Sequence, residues 1–205
     1  MDPLTVNPGP GLSPPRWGLP RAALRSFGAG VLAAAAVLVA APACAQSEAQ
    51  SEYRVKAAFL YKFGSYVEWP ERTFPKPDSA LTIGVMGADA LADELAQIVS
   101  GRSVNGRPVQ VRRLRPTDAV AGLHMLFVGR GDDGRLAEIF AAAKGHSVLT
   151  VTESENALRL GSVINFVVVD DKVRFDVALA PADLGSLKIS SRLLAVARKV
   201  VSRPS

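Results

Sequence analysis

Between residues 81 and 151, short apolar runs alternate with segments of helical period, and this alternation leaves the chain few folds to choose from. Leu81-Thr-Ile-Gly-Val-Met86 has the pattern of a buried strand that Gly87 ends, and Asp89 is placed to cap a helix over Ala90 to Val99. Asn105-Gly106 marks a turn before a second strand, Val109 to Leu114, in which valines alternate with glutamine and arginine, giving one wet face. Pro116-Thr-Asp118 turns again. A third strand follows at His124 to Val128, a second helix at Arg135 to Ala143, and a fourth strand at Ser147 to Val151. Strands separated by helices are joined by crossovers, so the expected fold class is α/β, a mainly parallel sheet flanked by helices on both faces. The end of the chain differs. Ile164 to Val169, a turn at Asp170-Asp171, and Lys172 to Val177 predict an antiparallel hairpin. Its second arm places Val173, Phe175 and Val177 on one face and Arg174 and Asp176 on the other. Ser190 is expected to open a closing helix with Leu193, Leu194, Ala197 and Val200 turned inward.

The stretch Val55-Lys-Ala-Ala-Phe-Leu-Tyr-Lys-Phe-Gly-Ser-Tyr-Val-Glu-Trp-Pro70 concentrates aromatic residues in a chain that is only 6% aromatic. Val55, Phe59, Phe63 and Val67 recur every fourth residue, which predicts a helix laid on the core and stopped by Pro70. Lys56 breaks the pattern by falling on the apolar side. A lysine there either snorkels to solvent or meets a carboxylate, because an unpaired buried charge is too costly. Glu52, one turn earlier, is the nearest candidate in sequence, and Asp176 is another.

Not all of the 205 residues are expected to belong to the fold. Arg16, Arg21 and Arg25 precede an uncharged run from Gly28 to Ala41, and Ala43-Cys-Ala45 follows it. Basic residues, a short apolar core and an A-x-A site predict a secretory signal over residues 1–45, cleaved after Ala45. Cys44 offers the rival of a lipidated N-terminus, although Ala41-Pro42-Ala43 lacks the leucine usual before such a cysteine. Residues 46–52 are then expected to be a flexible linker, and residues 53–205 a single domain. Without the three arginines and one aspartate of the signal, 21 basic and 18 acidic residues remain, a balance that argues against a nucleic-acid partner. The same cut leaves no cysteine, which excludes thiol catalysis, disulfide switching and cysteine-ligated metal.

Gly129-Arg-Gly-Asp-Asp-Gly134 has the G-x-G-x-x-G spacing, follows a strand and precedes a helix, and Glu153 lies at the distance a ribose-binding acid would take. Against a dinucleotide-dependent enzyme, Asp132 and Asp133 stand where a pyrophosphate would approach, and the loop follows the third strand instead of the first. An acidic turn leading into a helix satisfies the same residues. His124 and His146 are the only histidines, and neither has a second ligand at metal-binding spacing. With no G-x-S-x-G, Walker loop or H-E-x-x-H, neither an enzyme nor a cofactor is expected.

Taken in order, Val-Lys-Ala-Ala-Phe-Leu-Tyr-Lys-Phe with Glu68-Trp-Pro70, His124-Met-Leu-Phe-Val, Val148-Leu-Thr-Val, Gly161-Ser-Val-Ile-Asn-Phe, Val173-Arg-Phe-Asp and Leu187-Lys-Ile-Ser-Ser-Arg-Leu-Leu resemble the YfiR family from about Tyr53 to Val200. The resemblance implies a periplasmic, often dimeric α/β protein of nucleotide-binding-like topology without a nucleotide. It further implies repression of an inner-membrane diguanylate cyclase through that enzyme's periplasmic part, with an outer-membrane lipoprotein as antagonist. Cyclic-di-GMP and biofilm formation would fall as a result. The chain departs from the family at Leu123, where a cysteine is frequent, and at Ser162, where a second glycine is common.

Two functional expectations follow. In the first, the protein is a non-enzymatic regulator whose exposed apolar patch masks a membrane cyclase or sensor kinase. The candidate contact residues are Lys56, Tyr61, Phe63, Tyr66 and Trp69 of the first helix, with Gly161, Ile164 and Phe166 of the Gly161–Phe166 region. In the second, it is a periplasmic small-molecule-binding sensor module, with pocket chemistry from Arg174, Asp176 and the loop 152–166.

Overall fold

The computed structural model describes residues 41–202, with side chains from Glu48 onward. The expected signal lies outside these residues as far as position 40. The first helix, α1 (Ala41–Phe63), takes in residues 46–52, so the stretch expected as a linker is helical. It buries Lys56, Ala57, Leu60 and Phe63, one side of a helix at 3.6-residue spacing. Val55 is 42% exposed and lies off the apolar stripe, which runs from Tyr53 through Ala57 and Leu60 to Phe63. The helix stops at Gly64 and not at Pro70. Ser65 N–H donates to the Lys62 carbonyl (2.9 Å) and Tyr66 N–H to that of Phe63 (3.0 Å). A side chain on Gly64 would come within 3.3 Å of Leu81, so the glycine lets the chain turn tightly over the sheet.

After a two-residue strand β1 (Val67–Glu68) and a 3₁₀ turn (Glu71–Thr73), the chain enters β2 (Leu81–Met86). Helix α2 (Asp89–Val99) follows, with Ala88 and not Asp89 at the cap position. Then come β3 (Ser103–Val104), β4 (Arg107–Leu114), β5 (Met125–Val128), a 3₁₀ segment (Arg130–Arg135), α3 (Leu136–Ala143) and β6 (Leu149–Thr152). The last part is α4 (Ala157–Leu160), β7 (Ile164–Val169), β8 (Lys172–Ala178), α5 (Leu179–Leu184), β9 (Lys188–Ile189), α6 (Ser191–Val196) and β10 (Lys199–Val201). Eight strands form one sheet in the order β10-β8-β7-β6-β5-β2-β4-β3, and β1 pairs with β9 in a separate antiparallel sheet. The ladder is parallel from β7 through β6, β5 and β2 to β4, and antiparallel at the β7–β8 and β3–β4 hairpins. The α/β class read from the sequence is the one observed.

Alternation along the central strands feeds two cores. Ile83, Val85, Met125, Phe127 and Val151 face α1 and α2, whereas Met86, Leu126 and Val128 face Leu136 and Ile139 of α3. Aromatic rings fix α1 on its face. Phe63 lies 5.8 Å from Phe166 and 5.1 Å from Phe175, and Phe59 contacts the same two rings. Separations of this size are favourable for ring pairs.

The closing helix is shorter than its apolar pattern predicts. It ends at Val196, and Lys199–Val201 join the sheet as β10, parallel to β8. Val200 is 39% exposed as a result. Arg198 explains the switch: its N–H donates to the Phe175 carbonyl (2.8 Å), and its guanidinium grips the Asp176 carboxylate. Those bonds and the β-branched pair Val200-Val201 favour an extended end over another helical turn. Among the described residues no helix is long and apolar enough to cross a membrane.

His124 sits at the start of β5, 3% exposed. Its Nδ1 accepts from Thr82 N–H (3.1 Å), so the neutral ring carries its proton on Nε2. Phe74 stacks on the imidazole at 4.3 Å, Arg107 lies 3.9 Å from the other face of Phe74, and Trp69 stands edge-on while its Nε1–H donates to the His124 carbonyl (2.8 Å). Burial pushes the His124 pKa below its ordinary value. A depressed histidine pKa means that the unfolded chain takes up the proton first. The stability held by neutral His124 is therefore complete above the unfolded pKa of about 6.5 and is lost as pH falls below it. The melting temperature is expected to drop between about pH 7.5 and pH 5, and His124→Asn, which keeps an acceptor for Thr82 N–H but cannot titrate, flattens the drop. An unchanged pH profile in that variant would show that other groups govern the effect.

Candidate functional site

In an open parallel sheet, ligands bind outside the carboxyl ends of the strands where successive connections leave in opposite directions. Here that point lies between β2 and β5, because β2 leads to β4 on one side and β4 leads across to β5 on the other. The chain's own loops fill it. A Cβ on Gly129 would stand 2.6 Å from the Gly87 carbonyl oxygen and 2.7 Å from the Ala88 Cβ. Gly129 N–H donates to the Met86 carbonyl (2.8 Å), which fastens one loop to the other. Gly87 has φ +64°, and a Cβ there would meet the Asp132 carboxylate at 2.7 Å. Gly129 and Gly131 of the G-x-G-x-x-G segment thus admit backbone against backbone, whereas Gly134 meets nothing, and Asp132 occupies the place a phosphate would need. This removes the ground for a dinucleotide site at residues 129–134.

Behind the closed crevice lies a buried ionic cluster. Lys56 is 1% exposed and does not snorkel; its ammonium lies between the carboxylates of Glu52, on the preceding turn of α1, and Glu153, just past β6. Glu153 also accepts from the backbone N–H of Arg130 (3.3 Å), and the Tyr53 ring centre lies 5.4 Å from Lys56 Nζ. Burial, then the Glu153 carboxylate, push the Tyr53 hydroxyl pKa up. The loop after β6 is filled by hydrogen bonds. Thr152 Oγ1 donates to Asn165 Oδ1 (2.7 Å), which also accepts Ser154 N–H (3.1 Å). Ser162 Oγ donates to the Ile164 carbonyl (2.8 Å), and Ser154 Oγ meets the Asp133 carboxylate. Polar groups buried and paired in this way lock a loop in one conformation.

The residues expected to form one contact surface are spread over the molecule. Phe63, Ile164 and Phe166 are core residues and offer no contact area to a partner. Tyr61 is half-buried, donates to the Ser103 carbonyl (3.2 Å) and carries Arg102 5.7 Å from its ring centre. Trp69 is held against His124. Tyr66 is half-buried, and its carbonyl accepts Ser190 N–H (2.9 Å). Gly161 is at the end of α4 with φ +120° and nearest Phe140, on the α3 face of the sheet. It stops a helix; it does not open room for a ligand. Arg174 is exposed, and Asp176 is held by Arg198, so neither Arg174 nor Lys56 is its partner. The carboxylate that sequence reasoning missed is Glu153. Its signal was a lysine on an apolar face that needed a counter-charge, together with an acid directly after an apolar strand.

Lys56 therefore cannot be exchanged alone. Lys56→Met strands the Glu153 carboxylate in the interior and is expected to lower unfolding free energy by about 3 kcal/mol. Glu153→Gln in that background recovers most of the loss. Denaturant titration of both variants measures this, and a stable single Lys56→Met variant would refute the assignment.

A family model described as YfiR/HmsC-like matches residues 53–198, the folded domain from the middle of α1 to the residue before β10. Among solved structures, a conserved domain protein from Vibrio cholerae O1 biovar El Tor str. N16961 is similar at 10% identity with a TM-score of 0.47. That overlap covers 58% of this chain and 54% of the other, so the chain spans about half the length of that protein. The match over nearly the whole folded domain decides the matter: the chain belongs to the YfiR/HmsC-like family, whose members are regulators in cyclic-di-GMP signalling.

Proposed function

We propose that this protein is a periplasmic, non-enzymatic repressor that binds the periplasmic part of an inner-membrane diguanylate cyclase and so lowers cyclic-di-GMP and biofilm formation. The observation that carries the reading is the family match across residues 53–198. The closed switch point supports it, since the place where this sheet topology would hold a small ligand is filled by Gly87, Gly129 and Asp132 of the chain itself. The basic, apolar and small-residue blocks before Ala45 support export to the periplasm. An outer-membrane lipoprotein that removes the repressor completes the scheme. A homodimer is the form in which it acts. A sensor kinase in place of the cyclase would use the same masking principle.

In the test, the purified protein serves as bait for detergent-solubilised membranes of its own host. A diguanylate cyclase is expected to co-purify, and deletion of the gene is expected to raise cyclic-di-GMP and biofilm mass. Capture of no cyclase, with unchanged cyclic-di-GMP on deletion, would refute the proposal.

A further inference from the structure

Beside β4 the sheet has a lane that is only partly filled. β3 pairs with β4 at Arg107 and Pro108, whereas β4 continues to Leu114 and pairs with β2 along its other side from Val109 to Leu114. The two-residue turn Asn105-Gly106, with φ +51° and +78°, makes Val104 and Arg107 the hydrogen-bonded pair that closes the hairpin. The N–H and C=O of Arg107 therefore point at β3. By alternation those of Val109, Val111 and Arg113 point the same way, where no strand of the described residues lies. They are an open edge of three residues' worth of donors and acceptors.

A groove of about 550 Å³ runs against this edge, with Val109 and Val111 on one side, Ala96 and Val99 of α2 on the other, and Arg102-Ser103 at its end. Val109 and Val111 are half-buried, so alternate side chains of an added strand would meet apolar walls. The rim is basic. Arg113 and Arg115 are paired with Asp93 and Asp118, while the exposed Arg102 and Arg112 meet no carboxylate among the described residues.

We propose that this lane is a docking site for an extended, acidic segment of another protein, which adds to β4 as a strand in the place that β3 leaves vacant. Main-chain bonds to Val109, Val111 and Arg113 hold it, the groove takes every second side chain, and Arg102 and Arg112 select for acid. The open stretch is about 20 Å long at roughly 3.3 Å per residue, enough for about six residues of ligand. A second copy of this chain is the disfavoured occupant, because β4 against β4 would bring one arginine-rich strand beside another. The same arginines guard the edge against self-pairing. The proposal rests on the sheet edge and not on which membrane protein is repressed, so it stands or fails apart from the cyclase reading.

The probe is a fluorescein-labelled eight-residue peptide of alternating glutamate and valine, with its lysine–valine counterpart as control. Anisotropy titration of the purified protein is expected to show at least tenfold tighter binding of the glutamate peptide, weakened severalfold by Arg112→Glu. Hydrogen exchange is expected to slow at the amides of Val109, Val111 and Arg113 when that peptide binds. Val111→Pro removes one outward N–H and spares the ladder to β2, so it is expected to weaken binding about tenfold or more with an unchanged unfolding midpoint. Should that variant unfold, the exchange pattern of the unsubstituted protein decides. No binding, equal binding of both peptides, or protection elsewhere would overturn the proposal. So would slow exchange at these amides without peptide in a protein that sediments as a dimer, for then a second copy holds the lane.

Discussion

The contact between Lys56 and Glu153 joins the first helix to the end of the fourth parallel strand, and much of the arrangement around it depends on that pairing. Neither group can be buried alone at acceptable cost, so the two must arrive together. Lys56 fixes the rotation of α1, and Phe63 then falls between Phe166 and Phe175. Glu153 in turn accepts from the N–H of Arg130 and holds the loop after β5 in place. A single ion pair thus registers the helix, the hairpin and the loop that closes the crevice.

That closure separates fold from function. The sheet topology and the glycine spacing both belong to proteins that bind nucleotides, yet here Gly129 and Gly131 serve packing between two loops. Gly129 lies so near the Gly87 carbonyl that any side chain would collide with main chain, which does not yield. The crevice in which this topology would hold a ligand is thus occupied by the chain's own loops.

The fold was largely legible because its signals are local. Strand runs such as Leu81–Met86, the Asp170-Asp171 turn with both residues at positive φ, and the alternation Val173, Phe175, Val177 are each readable within a few positions. What stayed hidden depends on distance. Lys56 announced that it needed a carboxylate, but Glu153, 97 residues away, could be found only in three dimensions. The closing helix was misjudged at its end for the same reason: Leu193 and Leu194 carry a helical pattern, and the bonds from Arg198 to Phe175 and Asp176 override it. Aromatic residues of the first helix were legible as important and illegible as to role, since Phe63 fills the core and Trp69 braces His124.

The wide separation of Lys56 and Glu153 also orders the events of folding. Helix α1 precedes β6 in the chain, and the ammonium of Lys56 has no buried counter-charge across the sheet until the residues around position 153 have formed β6. Closing a loop of that length costs entropy before any contact repays it. The contacts that hold α1, from Lys56 to Glu153 and from Phe63 to Phe166 and Phe175, thus all reach residues made about a hundred positions later, so the first helix of the domain is completed by some of the last of its sheet to be synthesised.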